Sequence, residues 1–356
     1  MPLTKDLIKE AVQRYWREYD RYNKLAQRVA DICRKEIVEG NAIRAQVTFR
    51  AKSPKKFEGK LEKFQKDPVE VAQLDSVQKI FDRVGDLAGI RISTYEERAR
   101  AVVVEKIKAL FDGPTGPVDI DEKDAKKKSA SNFYRATHCQ VVLKKEELVG
   151  TYENLAALSC EIQVCSMLAH VWNEIEHDLA YKPTTGELSQ KEKESLEQLG
   201  HMTKAGDTAI QHLLESTRER LAKRTGEFGD VYDFVARVRD RFPDNENFGE
   251  FAGQLFDDLI ELGFDTPEKL EREFFQADYQ AQAKALVTRL TAWMKDNAQD
   301  DVDLDPKSSD SLLMLVLDKH VDQILEKHPM GRGKGRPPRI AMVALRFKKM
   351  KEPPAH

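Results

Sequence analysis

The stretch Ser159-Cys160-Glu161-Ile162-Gln163-Val164-Cys165-Ser166, with the helix-like run that follows it to Lys182, constrains this chain most. Glu161 and Gln163 alternate with Cys160, Ile162 and Val164. In a strand, that order places two polar side chains on one face and three apolar ones on the other. Downstream, Ala169, Trp172, Ile175 and Leu179 recur at spacings of three and four, an apolar helix stripe, and His170, Glu174 and His177 recur likewise on another face. Pro183 stops the pattern. A strand ending beside a helix start aims polar side chains into a cleft.

Two other segments supply matching chemistry. Asp86 opens Asp86-Leu87-Ala88-Gly89-Ile90-Arg91-Ile92, and a polar-aromatic cluster runs from Asn132 through Tyr134 to His138. Residues 42 to 50 alternate as a half-buried strand that ends in Arg50-Ala51-Lys52-Ser53-Pro54. Two cations two apart on a strand suit the grip of a triphosphate. Ser53 and Pro54 read as the cap and first turn of a helix to about 66. A carboxylate at Asp86 suits Mg²⁺, which needs few protein ligands because it keeps waters and takes phosphate oxygens. Gly89 inside the strand suggests close backbone approach. Arg91 reads either as a phosphate contact or as the partner of a carboxylate. Tyr134 offers a flat ring to a purine. His138, on the same face, fits either a ribose or phosphate contact or the core. Two carboxylates, a basic strand and a stacking tyrosine are the parts of a metal-dependent phosphoryl-transfer site.

These residues carry a resemblance. The Asp86–Arg91, Tyr134–His138, Glu161–Ser166 and Trp172–Lys182 blocks are similar, in order, to four blocks of the synthetase domain of the RelA/SpoT family, which makes guanosine tetra- and pentaphosphate. The similarity spans roughly residues 45 to 183. It implies an α+β fold, a mixed β-sheet flanked by helices of the nucleotidyltransferase-like kind. It implies transfer of pyrophosphate from ATP to the ribose 3′-hydroxyl of GDP or GTP. Asp86, Glu161 and Gln163 would be catalytic, with Asp86 and Glu161 holding Mg²⁺. Arg50, Lys52, Ser53 and Arg91 would bind ATP. Tyr134, His138 and the loop lysines Lys126 and Lys128 would bind the acceptor. His177 and Lys182 would support the site. Three departures bear on the acceptor. Phe133 replaces the usual Gly, Ala136-Thr137 replace Ser-Leu, and Cys165 replaces an Arg. About 45 residues precede the similar region, too few for the family's hydrolase domain, so a stand-alone synthetase is expected. A toxin-type enzyme acting on the tRNA 3′ end and a non-catalytic nucleotide sensor are the rival readings. A metal set of His170, Glu174 and His177 is a further alternative.

Composition sets limits around that site. A chain of 356 residues suggests two domains, read here as 1–225 and a mainly helical 226–356. The charged fraction of 33% points to long solvated helices, whereas a net charge of −3 gives no overall pull toward nucleic acid or membrane. Four Cys without a Cys-x-x-Cys pair read as buried thiols in a reducing compartment. No run reaches the ~20 apolar residues of a membrane helix, so a cytoplasmic protein is expected. A homo-oligomer is compatible with the resemblance.

The remaining elements follow from periodicity. A long helix over 4–39 is expected, capped by Thr4, with Trp16 and Tyr19 in its apolar stripe and Arg14, Arg17, Arg21 and Arg28 on a solvated side. One helix is expected over 69–83, one over 95–111, and one over 189–224 that Gly200 and Gly206 bend or break. The strand of Tyr134 is expected to run from 134 to 142. Helices are expected at 247–262, 266–276, 278–297 and 308–327. The basic tail reads as a flexible tether that could meet RNA, around a closing strand Ile340–Leu345.

Overall fold

The computed structural model describes residues 3–126, 133–179, 186–299, 302–328 and 337–352. The chain divides into two compact units, residues 1–37 with 44–211, and residues 38–43 with 212–356.

The first unit is a mixed five-stranded sheet with helices around it. Helix α1 (Lys5–Ile32) starts at Thr4, whose hydroxyl accepts from the Leu7 N–H, and a π-helical stretch prolongs it to Glu39. Then come β1 (Ala45–Ala51), α2 (Pro54–Phe64), α3 (Pro68–Gln73), α4 (Val77–Arg83), β2 (Ala88–Thr94), α5 (Ala99–Leu110), β3 (Asp119–Glu122), β4 (Thr137–Val142), β5 (Ser159–Ser166) and α6 (Met167–Leu179). Helix α7 (Gln190–Ala222) follows, its last turns belonging to the second unit. The strand order is β1-β2-β5-β4-β3, and only β2 and β5 run parallel. Period-two alternation separates the faces. Ile90, Ile92, Cys139, Val141, Cys160, Ile162 and Val164 are buried on one side. Arg91, His138, Gln140, Glu161 and Gln163 of the same strands share the other.

Several expected elements differ. The 69–83 helix is two helices, because the Ser76 hydroxyl accepts from the Lys79 N–H and starts α4 afresh. Trp16 is 63% exposed. The stripe that α1 buries is instead Ile8, Ala11, Tyr15, Tyr22, Leu25 and Val29. Its arginines are not simply solvated: Arg21 donates to the Asn154 carbonyl at 2.6 Å, Arg28 pairs with Glu147, and Arg14 lies over the Phe81 ring. Helix α5 starts at 99 rather than 95. Helix α7 passes unbroken through Gly200 and Gly206.

The second unit is helical: α8 (Val231–Val238), α9 (Ala252–Glu261), α10 (Pro267–Phe274), α11 (Tyr279–Asp296), α12 (Asp310–Lys327) and α13 (Arg339–Lys351). Leu312 to Leu317 are six consecutive buried residues, so α12 is hidden on all sides at its start. Phe234, Phe242, Phe248, Phe274 and Phe347 pack in the same core. The expected strand at 340–345 is part of α13. Ile340, Val343, Ala344, Phe347 and Met350 are buried at helical spacing, and Pro337-Pro338 precede the first turn. The described part of the basic tail is therefore not a tether. Arg339 is bound to Asp310, Lys348 to Asp322 and Lys351 to Asp318, each at 2.7 Å. Residues 331–336 lie outside the described residues. Helix α9 starts at 252 rather than 247, since the Asn247 N–H donates to the Lys307 carbonyl. Among the described residues, no helix is long and apolar enough to cross a membrane.

Candidate active site

Strand register assembles the site. Arg50, Gly89, Glu161, Gln140 and Asp119 lie side by side across all five strands. Two residues along, Thr48, Arg91, Gln163, His138 and Asp121 form the next row. Directly paired residues share a face, so these ten positions make one polar floor. The floor opens into a cleft of about 1840 Å³. A Cβ on Gly89 would meet only the Arg50 carbonyl, at 4.0 Å, so no part of the protein requires that glycine. It leaves the floor bare between Arg50 and Glu161.

Asp86 stands at the entrance of β2, where Lys52 leaves β1. The Lys52 N–H donates to the Leu87 carbonyl at 2.8 Å. The hydroxyl of fully buried Tyr15 donates to the carbonyls of Lys52 (2.6 Å) and Leu87 (3.2 Å), stitching the two strand ends together. The ammonium of Lys52 lies 2.7 Å from Asp86 and that of Lys60, on α2, lies 2.9 Å away. Burial alone would raise the Asp86 pKa, but the two ammonium groups outweigh it and hold the pKa below the usual aspartate value. Gly85 leaves room for the Gln140 side chain. A Cβ there would fall 2.6 Å from the side-chain oxygen of Gln140, whose amide donates to the Gly85 carbonyl.

Glu161 receives two donors, His138 Nδ1 at 3.2 Å and Gln163 Nε2 at 2.6 Å. Burial would raise its pKa. Those bonds more than offset it and leave the carboxylate below the ordinary glutamate range. His138 Nε2 lies 3.0 Å from the Tyr134 hydroxyl. Burial, then the charge of Glu161, pushes the Tyr134 pKa well up, so the hydroxyl stays protonated. Gln163 accepts from Arg91 at 3.2 Å, and Arg91 pairs with Glu174 at 2.7 Å. Burial first, then Arg91, lowers the pKa of His170, which keeps that ring neutral.

Asp86, Glu161, Gln163, Arg50, Lys52, Arg91, Tyr134 and His138 all line the one cleft. Ser53 does not line it, because its hydroxyl caps α2 by accepting from the Lys56 N–H. His177 lines the cleft but is about half exposed, with Nδ1 3.7 Å from Asp178. Lys126 ends a 3₁₀ turn, and its side chain lies outside what is described. Lys128 and Lys182 lie outside the described residues. Among those described, no three His, Cys, Asp or Glu side chains form a metal cage. The set of His170, Glu174 and His177 is not assembled, since Arg91 occupies Glu174 and lies beside His170. Tyr15 escaped the sequence reading, whereas Lys60, with Lys55, Lys56 and Lys63 on the helix after Ser53, reads there as a weaker phosphate contact than Arg50 and Lys52. The signal for Lys60 was its place two turns into a helix whose cap, Ser53, directly follows Lys52.

A family model described as "Region found in RelA / SpoT proteins" matches residues 49–186. Among solved structures, small alarmone synthetase 1 from Bacillus subtilis is 22% identical, covering 58% of this chain and 98% of its own, with a TM-score of 0.45. A GTP pyrophosphokinase family protein from Streptococcus pneumoniae is 20% identical, covering 58% of this chain and 95% of its own, at 0.45. The Bacillus subtilis enzyme bound to its product pppGpp is 20% identical over 57% of this chain and 98% of its own, at 0.43. No curated protein sequence matches the chain. Residues 49–186, which carry all of the polar floor but Thr48, are thus similar to the region found in RelA/SpoT proteins.

Proposed function

We propose that the protein is an alarmone synthetase, a pyrophosphokinase moving the β,γ-pyrophosphate of ATP onto the ribose 3′-hydroxyl of GDP or GTP. The observation that carries this reading is the shared floor: a basic edge, two carboxylates and an aromatic ring around one cleft. Its volume of about 1840 Å³ exceeds the roughly 1,000 Å³ upper range of single small-ligand pockets, as two nucleotides would require. Arg50 and Lys52 hold the ATP phosphates at the β1–β2 edge, and Tyr134 stacks the acceptor base. The 3′-oxygen attacks the β-phosphorus, the bond from that phosphorus to the α,β-bridging oxygen breaks, and AMP leaves with the electron pair. The hydroxyl proton passes to Glu161. The loose transition state of phosphoryl transfer acidifies the hydroxyl late, so a weakly basic carboxylate is sufficient.

Asp86 and Glu161 fit Mg²⁺: both are oxygen donors held charged by their neighbours, and a two-carboxylate set suits an ion that takes its remaining ligands from phosphate and water. When bound, the ion would neutralise charge growing on the phosphates. The ammonium groups on Asp86 are the natural recipients of those phosphates. Four buried free thiols support a reducing cytoplasm. The helical residues after 225 are read as an accessory domain.

ATP labelled at the γ-phosphate, incubated with Mg²⁺ and either GDP, GTP or bulk tRNA, tests the reaction. Label is expected on the guanine nucleotide; label on tRNA alone would replace this reading with the toxin one. Lys60→Ala should raise the KM for ATP about tenfold, the scale of one charge-assisted hydrogen bond. Lys55→Ala, on the same helix but outside the cleft, should leave it unchanged.

The pH dependence has a definite sign. Both carboxylates have folded pKa values below their ordinary ones, so their charge persists above about pH 4 and is lost only as pH falls through those lowered values. The rate of transfer should therefore show no carboxylate limb between about pH 5 and 8. A limb within that range that Glu161→Gln or Asp86→Asn abolishes would contradict this.

A further inference from the structure

The acceptor-facing segment Phe133-Tyr134-Arg135-Ala136 belongs to no strand, although the sequence pattern runs it into β4. Side chains hold most of its backbone instead, beside one backbone bond from the Lys123 N–H to the Ala136 carbonyl at 3.1 Å. The Asn173 amide accepts from the Arg135 N–H at 3.3 Å and donates to the Arg135 carbonyl at 3.1 Å, as a neighbouring strand would. The Asp124 carboxylate accepts from the Ala136 N–H at 3.1 Å.

The two residues flanking Tyr134 are both gripped by α7, beyond the RelA/SpoT match. Only Gly200, Thr203 and Asp207 of α7 are buried, and they follow one another at helical spacing. Phe133, 2% exposed, seats its ring over Gly200. A Cβ there would lie 2.2 Å from the ring, closer than any real contact. His201 meets the same ring edge-on at 4.7 Å between centroids. Two turns later, Asp207 pairs with Arg135 at 2.6 Å, with both side chains buried. Asp207 also accepts from the Ser166 hydroxyl, at 3.1 Å, which itself accepts from the Ala169 N–H at the start of α6. The large Phe at 133, where the family pattern has Gly, is thus accommodated by a glycine on α7.

We propose that α7 fixes Tyr134 for base stacking, with Gly200 and Asp207 as positioning residues for the acceptor purine. This rests on the stacking role given to Tyr134 above. Neither residue touches the cleft floor, so each acts through the residue it grips.

The test uses the full chain and measures equilibrium binding of GDP and, separately, of ATP by calorimetry. Tyr134→Ala is the reference. Val104→Ala, a cavity variant in the core of α5, is the stability control. Tyr134→Ala, Gly200→Ala and Asp207→Asn are each expected to weaken GDP binding about tenfold, the scale of a lost stacking contact. ATP binding should stay within about twofold, and Val104→Ala should change neither. Adding Phe133→Ala to Gly200→Ala returns the missing space and should recover GDP binding. That rescue keeps the test valid if Asp207→Asn fails to fold. GDP binding lost in Tyr134→Ala alone would overturn the role of α7 and leave stacking intact. GDP binding unaffected in all three, with wild type binding it, would overturn stacking and this role together. Equal loss of GDP and ATP, or no rescue by Phe133→Ala, would reduce the α7 contacts to general stability and overturn the proposal. Wild type binding neither nucleotide would overturn the synthetase reading itself.

Discussion

Glu161→Gln should slow pyrophosphate transfer about 10³-fold while the protein stays folded, the scale at which removal of one preorganised charge-handling group is felt. The substitution keeps the shape of the side chain and removes its charge. It also turns one acceptor oxygen into a donor amide, facing either Gln163 Nε2 or His138 Nδ1, which already donate to that carboxylate at 2.6 and 3.2 Å. On the reading proposed above, the amide would not accept the hydroxyl proton and would bring no negative charge to a Mg²⁺ held at Asp86. ATP binding should fall far less, since Arg50 and Lys52 stand on β1 and just past it. Single-turnover transfer of γ-label and calorimetric ATP binding, measured on one preparation, separate the two effects. Transfer within tenfold of wild type would remove Glu161 from the chemistry.

Asp310→Ala should destabilise the helical unit by about 3–5 kcal/mol, the usual cost of removing one partner of a buried ion pair. Asp310 is fully buried at the start of α12 and receives both guanidinium nitrogens of Arg339, at 2.8 and 2.7 Å. Its second oxygen also accepts from the Asp305 N–H at 2.9 Å. Truncation strands the Arg339 charge, which otherwise rests over Phe251 with its guanidinium carbon 3.5 Å from the ring centroid. Because Arg339 begins α13, the loss should appear as faster hydrogen exchange at the amides of 340–350, with a lower denaturant midpoint. Unchanged protection there would mean that Phe347 and its apolar neighbours hold α13 without the pair.

The sheet was legible where side chains alternate strictly. The period of two in β5 and β1 put Glu161, Gln163 and Arg50 on their face without any knowledge of the neighbours. Legibility failed where side chains, rather than backbone ladders, decide the conformation. Residues 134–136 look like strand, but Asn173 and Asp124 take their hydrogen bonds, and neither is predictable from local pattern. On α1, Tyr15 and Trp16 are equally apolar neighbours. Only the tertiary partners Lys52 and Leu87 decide that Tyr15 turns inward. At 340–345, six apolar residues are too short a run to separate strand from helix by period, and the buried Phe347 and Met350 beyond them settle it. The carboxylate pair was readable as a pair, whereas its lysine occupancy was not, because Lys60 reaches Asp86 from a separate helix.

The placement of the thiols gives the molecule a built-in reporter. All four cysteines are unpaired and buried, and all lie in the first unit. Burial raises the thiol pKa at each, Cys165 to about 11, so the reactive thiolate is scarce at neutral pH. A maleimide or iodoacetamide can reach Cys33, Cys139 and Cys160 only while the layer between the sheet and its helices is open, whereas Cys165 lines the cleft. The alkylation rate of those three thus counts openings of the first unit alone, and the cysteine-free helical unit contributes no signal to it.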